Sequence, residues 1–353
     1  MWPCFRLPKE REEERHFLEN GALLLEELIT SFNGRSNPIR SFSKKELKRA
    51  TNNYHQDGIS HQHGPYNFYK GNFKDRAILV KKFTGHAPQN FIGECINEVA
   101  VASQISNHNN VLKLLGCCLE TEIPILVYEF AASGRLSDYI YEKELSTSKK
   151  YPLLSWERKL KIVTEIADAI AYLHNGTSKP IIHRFINCGT IFLDQHHVAK
   201  LSEFGLSVSI PLGATHVDAN VSTWPMEFIA PESERIGRFT AKSDVGSLGG
   251  VLLEILTGKL ISDMIKEVCG ARVLDQGESQ FRWLNSEFLL AEDNEKNYRV
   301  YLEANLVKGN KEQLMACVGL AMRCVRRNPD ERPSMMEAAK ELRRIRSFQQ
   351  DSL

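Results

Sequence analysis

"IIHRFINCGTIFLD", residues 181–194, is the stretch on which the reading of this chain turns. Two apolar runs flank a polar turn, so it reads as strand-turn-strand. Such a turn is where an enzyme can hold a base and a metal ligand on a rigid scaffold. In that turn stands Phe185, whose ring can accept no proton. What accompanies that phenylalanine decides whether the chain is an enzyme or only the outline of one.

The chain has 353 residues, 42% of them hydrophobic and 25% charged. That is enough apolar material for a large core and enough length for two lobes or domains. Lysine plus arginine total 45 against 44 aspartate plus glutamate, so no net field draws in nucleic acid or an anionic membrane. The eight cysteines (Cys4, Cys95, Cys117, Cys118, Cys188, Cys269, Cys317, Cys324) form no CxxC pair, and reduced thiols in a cytosolic compartment are expected. The adjacent Cys117 and Cys118 read as core packing. His61, His63 and His86 stand at no metal-ligand spacing with any cysteine, so no zinc site is expected. No apolar run approaches the ~20 residues of a membrane span, and "MWPCFRLPKE" is not a signal peptide. Trp2 stands where N-myristoylation requires glycine, which leaves Cys4 as the one candidate for acylation near the start.

A mixed charge run, "KEREEER" (9–15), leads into "FLENGALLLEELITSF" (17–32), whose Phe17, Leu18, Leu24, Leu25, Leu28 and Ile29 recur at roughly helical spacing. This predicts an amphipathic helix with more apolar surface than one face needs. "NGRSNPIRSFS" (33–43) reads as a turn-rich linker and "KKELKRATNNY" (44–54) as a short helix. Short β-type runs then surround one helix over 90–105. Beyond residue 134 long helical patterns take over, at 156–174, 243–258 and 312–325. A small β-rich half precedes a larger helical half; residues 270–310 show the weakest pattern.

"RAILVKKF" (76–83), Glu98 placed 17 residues after Lys81, "LVYEF" (126–130), "HRF" (183–185), "EFG" (203–205), "APE" (230–232), "SDVGSLGGVLLEILTG" (243–258) and "DERPSM" (330–335) follow one another in a specific order. That series, covering roughly residues 54–346, resembles a eukaryotic protein kinase. "FSKKELKRATNNY", "KLLGCCLETEIPILVYEF" and "DERPSM" further resemble plant receptor-like cytoplasmic kinases, close to the wall-associated kinases. The resemblance implies an α+β, bilobal protein-kinase fold. It has an N-terminal helical extension and linker (1–45), a small β-rich N-lobe (46–130) and a larger helical C-lobe (131–353).

The resemblance also shows what has changed. In H-R-D-x-x-x-x-N the aspartate takes up the substrate hydroxyl proton and the asparagine holds magnesium; here Phe185 and Thr190 occupy those positions. Loss of a positioned base typically costs ~10²–10⁴-fold in rate. Asn187 replaces the lysine that steadies the transferring phosphoryl group, and Glu203 replaces the metal-binding aspartate of D-F-G. The glycine positions of G-x-G-x-x-G carry His61, His63 and Tyr66, with Gly64 out of register, so Cβ atoms and rings stand where backbone N–H groups should approach phosphates. Phe68 and Leu79 replace the small residues that sandwich adenine, so the nucleotide pocket is expected to be partly filled by the protein itself.

Other positions of the resemblance are kept. Lys81 and Glu98 are residual kinase-like positions, read as an ion pair that orients a helix. Glu232 and Arg332 match the pair that fixes the end of the activation segment, and Asp244 the aspartate that holds the catalytic-loop backbone. His183 and Phe204 match core positions. The set implies a pseudokinase, with no catalytic residue, no cofactor and no metal. The N-terminal helix further resembles the plant immune pseudokinases that act as adaptors for a coiled-coil NLR receptor. That likeness implies cytoplasmic partners: the receptor's leucine-rich repeats and receptor-like cytoplasmic kinases modified by pathogen effectors, with association to the plasma membrane through them. Phe17, Leu18, Leu25, Leu28 and Ile29 would carry the receptor contact. Thr215, Ser222 and Thr223 lie in the activation segment (203–232), expected to be mobile and to order when a modified kinase docks. A slow or unconventional Ser/Thr kinase, with Glu203 holding metal and Lys81 phosphate, is the alternative.

Overall fold

The computed structural model describes residues 8–32, 34, 39–63, 65–85, 90–141, 152–219, 229–269 and 299–349. The chain divides into two compact units, Met1–Gly134 with Glu203–Ser207, and Arg135–Ser202 with Val208–Leu353. The first is built on a β-sheet and the second on helices, the α+β class that the motifs implied.

The first unit opens with helix α1 (Pro8–Phe32). Six strands follow: β1 (Arg40–Ser41), β2 (Ile59–His63), β3 (Tyr66–Phe73), β4 (Arg76–Phe83), β5 (Leu114–Cys118) and β6 (Ile125–Glu129), in the spatial order β1-β5-β6-β4-β3-β2. Helix α2 (Lys44–Ala50) starts at a capping box in which Ser43 and Glu46 satisfy each other's backbone N–H groups. Helix α3 (Asn90–Ile105) lies between β4 and β5 in the chain. Ile78, Leu79, Val80 and Lys81 are all buried, so β4 is covered on both faces. One face packs Phe42, Leu47, Tyr69, Ile78, Val80, Cys118, Ile125 and Val127 into a core. Side chains alternate along a strand, so Leu79 and Lys81 point to the opposite face.

One feature of this unit departs from the local reading. The stretch taken as a linker contributes a strand: Arg40 and Ser41 pair in parallel with Gly116 and Cys117, and Phe42 N–H donates to the Cys117 carbonyl at 2.8 Å. The close approach is permitted because residue 116 is glycine; a Cβ there would sit 2.0 Å from the Arg40 carbonyl oxygen. Helix α1 is also bonded to the sheet. Buried Asn20 donates to the carbonyls of Leu119 (3.1 Å) and Thr121 (2.9 Å) in the β5–β6 turn, and Glu13 pairs with Lys44 at 3.0 Å.

At the boundary between the units lies β7 (Gly134–Arg135). The second unit holds α4 (Ser137–Ile140), α5 (Trp156–Asn175), α6 (Pro231–Ile236), α7 (Ala241–Thr257), α8 (Ile261–Cys269), α9 (Lys311–Cys324) and α10 (Met335–Arg346). Every residue of α7 from Ser243 to Thr257 is buried, which makes it the central helix. Helices α5 and α9 pack on α7, and α10 packs on α5. Short strands β8 (Ile181–Ile182), β9 (Ile191–Leu193), β10 (Ala199–Leu201), β11 (Val208–Ser209), β12 (Val217–Asp218) and β13 (Arg238–Phe239) complete it. Of the segment expected to be mobile, β11 pairs with β8 and β12 with β13. Thr215 is exposed, its hydroxyl 3.2 Å from His216 Nδ1. Ser222 and Thr223 lie outside the described residues.

Candidate functional site

Lys81 is the centre of the first unit's chemistry. Its side chain is 3% exposed, and its Nζ donates to Glu98 Oε2 and to Glu203 Oε2, each at 2.6 Å. The Tyr66 ring covers the same ammonium, 4.4 Å from its centroid. Tyr66 is anchored: its hydroxyl lies 3.5 Å from Cys95 Sγ, and its ring meets Phe83 and Phe91 edge-on at 5.5 and 6.0 Å. The second oxygen of Glu98 accepts from the Tyr128 hydroxyl at 2.6 Å. Burial by itself would lower the Lys81 pKa, but Glu203 and then Glu98 hold it above its ordinary value. Burial pushes the Glu98 carboxyl up, against the downward pull of Lys81. The cluster therefore has a charged lysine shared by two carboxyls, in a low-dielectric setting where such contacts are strong.

Glu203 reaches this position from a strained backbone, with φ of 66°. The turn is held by Asn97, one residue before Glu98 on α3, whose Nδ2 donates to the carbonyls of Gly205 (2.9 Å), Ser207 (2.8 Å) and Phe204 (3.5 Å). Phe204 itself is fully buried. Phe68 and Leu79 are each 1% exposed, so both are packed as core. His61 lies opposite Phe68 and His63 opposite Tyr66 on the β2–β3 ladder.

In the second unit the 181–194 stretch is indeed strand-turn-strand. Phe185 is buried. Asn187 Oδ1 accepts from the backbone N–H groups of Gly189 (2.8 Å) and Thr190 (3.2 Å), while Thr190 Oγ1 donates to the Asn187 carbonyl at 3.0 Å. Both polar side chains thus close the loop on its own backbone. Asp244 accepts from the N–H groups of His183 (2.8 Å) and Arg184 (3.0 Å), and lies 2.8 Å from His174 Nε2. The fully buried His183 ring lies 2.9 Å from the Ser202 carbonyl. Arg332, 2% exposed, grips Glu232 through both terminal nitrogens at 2.8 and 2.9 Å.

The positions expected to meet a partner divide by exposure: Phe17, Leu18, Leu25 and Ile29 are exposed on α1, whereas Leu28 is half-buried. Among the described residues no group of histidines, cysteines and carboxylates is placed to hold a metal ion. Burial pushes the thiols of Cys95, Cys117, Cys118, Cys317 and Cys324 up to about 12, which suits packing and not nucleophilic attack. Tyr128 and Asn97 were missed in the sequence. A tyrosine inside an apolar strand was the available sign, because a buried hydroxyl needs a partner; Asn97 carried no local sign at all.

Residues 62–342 match the protein tyrosine and serine/threonine kinase family. The chain belongs to that family. Its kinase relatives include proteins of Arabidopsis thaliana with opposite names. Over 98% of this chain and 96% of the relative it is 34% identical to serine/threonine-protein kinase ZRK1. Over 96% of this chain and 92% of the relative it is 32% identical to non-functional pseudokinase ZRK2. It is also 37% identical to wall-associated receptor kinase-like 1, over 98% of this chain but only 46% of that receptor's length. The kinase fold is thus shared by all three, and the names leave catalysis to be argued from the residues of this chain.

Proposed function

We propose that the protein is a pseudokinase that serves as an adaptor in plant innate immunity. It binds the leucine-rich repeats of a coiled-coil NLR receptor and recruits receptor-like cytoplasmic kinases altered by pathogen effectors. The observation that carries the non-catalytic half is the enclosure of Lys81 by Glu98, Glu203 and Tyr66, which leaves the family's phosphate-binding cation no open face. Phe185 in place of the base and Thr190 in place of the metal ligand support the same reading from the other unit. Magnesium and ATP are expected to leave the melting temperature unchanged, and no phosphate is expected to reach any substrate. Phe185→Asp is expected to restore nothing, because such defects act as a unit and single repairs are far from additive. Kinase activity in that variant, or an ATP-induced shift in the wild type, would favour the slow kinase instead.

The adaptor half draws support from α1, whose Phe17, Leu18, Leu25 and Ile29 are apolar and exposed on a helix bonded to the sheet. An interface of this kind is dominated by a few central side chains, each worth ~2 kcal/mol or more on truncation. Leu25→Glu, at a position 58% exposed, is expected to melt like the wild type yet fail to co-precipitate the receptor's repeats. Full receptor binding by that variant would remove α1 from the interface.

A further inference from the structure

We propose that Glu203 is a built-in ligand for Lys81, a carboxylate that takes the place of a nucleotide phosphate and keeps the Glu203–Ser207 turn docked on α3 without any cofactor. This rests on the reading above that the chain works without nucleotide, and goes further by naming the group that substitutes for it. An ammonium offers three donors. One goes to Glu98 and one to Glu203 at equal distances of 2.6 Å, and the remaining face is covered by the Tyr66 ring. A phosphate oxygen approaching Lys81 would have to displace one of these three.

Glu98 is held at both oxygens, since its other oxygen accepts from Tyr128, and it sits in the middle of α3. Glu203 instead comes from a turn with a left-handed backbone, whose following carbonyls are gathered by Asn97. A strained turn of this kind persists only when its surroundings over-determine it. Here the surroundings include the Lys81 ion pair, the Asn97 amide and the burial of Phe204, all supplied by the protein. Charge balance points the same way: one ammonium already faces two carboxyls, and a polyphosphate would bring more negative charge to a lysine that has none to spare.

The test uses inorganic tripolyphosphate, which carries the phosphate chemistry and has no base to fit beside Phe68 and Leu79. Melting temperatures are compared with and without it, at matched ionic strength. The wild type is expected not to move. Glu203→Ala, with the internal ligand gone, is expected to melt lower in plain buffer and to rise by about 5 °C or more at saturating tripolyphosphate. The double variant Glu203→Ala with Lys81→Met is expected to lose that rise. If Glu203→Ala does not fold, Glu203→Gln, which keeps the shape and removes the charge, takes its place and is judged by the same results. A folded Glu203 variant that ignores tripolyphosphate, or one that responds without Lys81, would overturn the inference while leaving the pseudokinase reading standing. A shift of the wild type with magnesium and ATP would overturn both.

Discussion

Arg332→Ala is expected to lower the stability of the folded chain by about 3–5 kcal/mol, the usual cost of removing one partner from a buried ion pair. Arg332 is 2% exposed, and its guanidinium grips the Glu232 carboxylate with two hydrogen bonds. It also donates to the carbonyls of Arg326 (2.6 Å), Lys242 (2.8 Å) and Arg327 (3.4 Å), so alanine takes its donors from a carboxylate and three carbonyl oxygens at once. Arg332→Lys keeps the charge without the planar fork and is expected to recover only a minor part of the loss. Chemical unfolding of the three proteins measures this directly. A variant as stable as the wild type would show that the pair is not what holds α6 to the segment before α10.

Lys81→Met is the second large effect, again about 3–5 kcal/mol at neutral pH, and it carries a pH signature. With the ammonium gone, Glu98 and Glu203 are left together in a buried site. Burial already holds the Glu98 carboxyl above the ordinary value, opposed by Lys81; without that opposition it moves further up. A carboxyl whose folded pKa exceeds its unfolded value of about 4.3 contributes stability that is fully present below the unfolded value and is lost as pH rises through the folded one. The penalty of Lys81→Met relative to the wild type is therefore expected to be smallest near pH ~5 and to grow toward pH ~8. Thermal melts across that range decide it. A penalty independent of pH would mean that the two carboxyls find other partners.

Much of the architecture was legible because it depends on periodicity and on residue types at fixed spacing. The helices at 90–105 and 156–174 follow from apolar recurrence, and α3 spans Asn90–Ile105 and α5 Trp156–Asn175. The change from β-rich to helical halves likewise follows from the change of period along the chain. The strand at Arg40–Ser41 was not legible, since two polar residues in a turn-rich stretch carry no pattern. It is possible because Gly116, far along the chain, has no side chain to keep Arg40 away.

The residue types at the motif positions belong to the sequence by itself: a benzyl group at 185, a threonine at 190 and side chains at 61, 63 and 66 are chemical facts before any folding. Where the remaining groups point is a different matter. Read alone, Lys81, Glu98 and Glu203 fit a working phosphate site as well as a closed one. Only the tertiary structure brings Tyr66 onto the lysine, through the β3–β4 register, and swings Glu203 to it through a turn that Asn97 holds. Residue types follow from the chain, but which donors are already satisfied depends on contacts made across 17 and 122 residues of sequence, and these form only when the sheet, α3 and the 203–207 turn pack together.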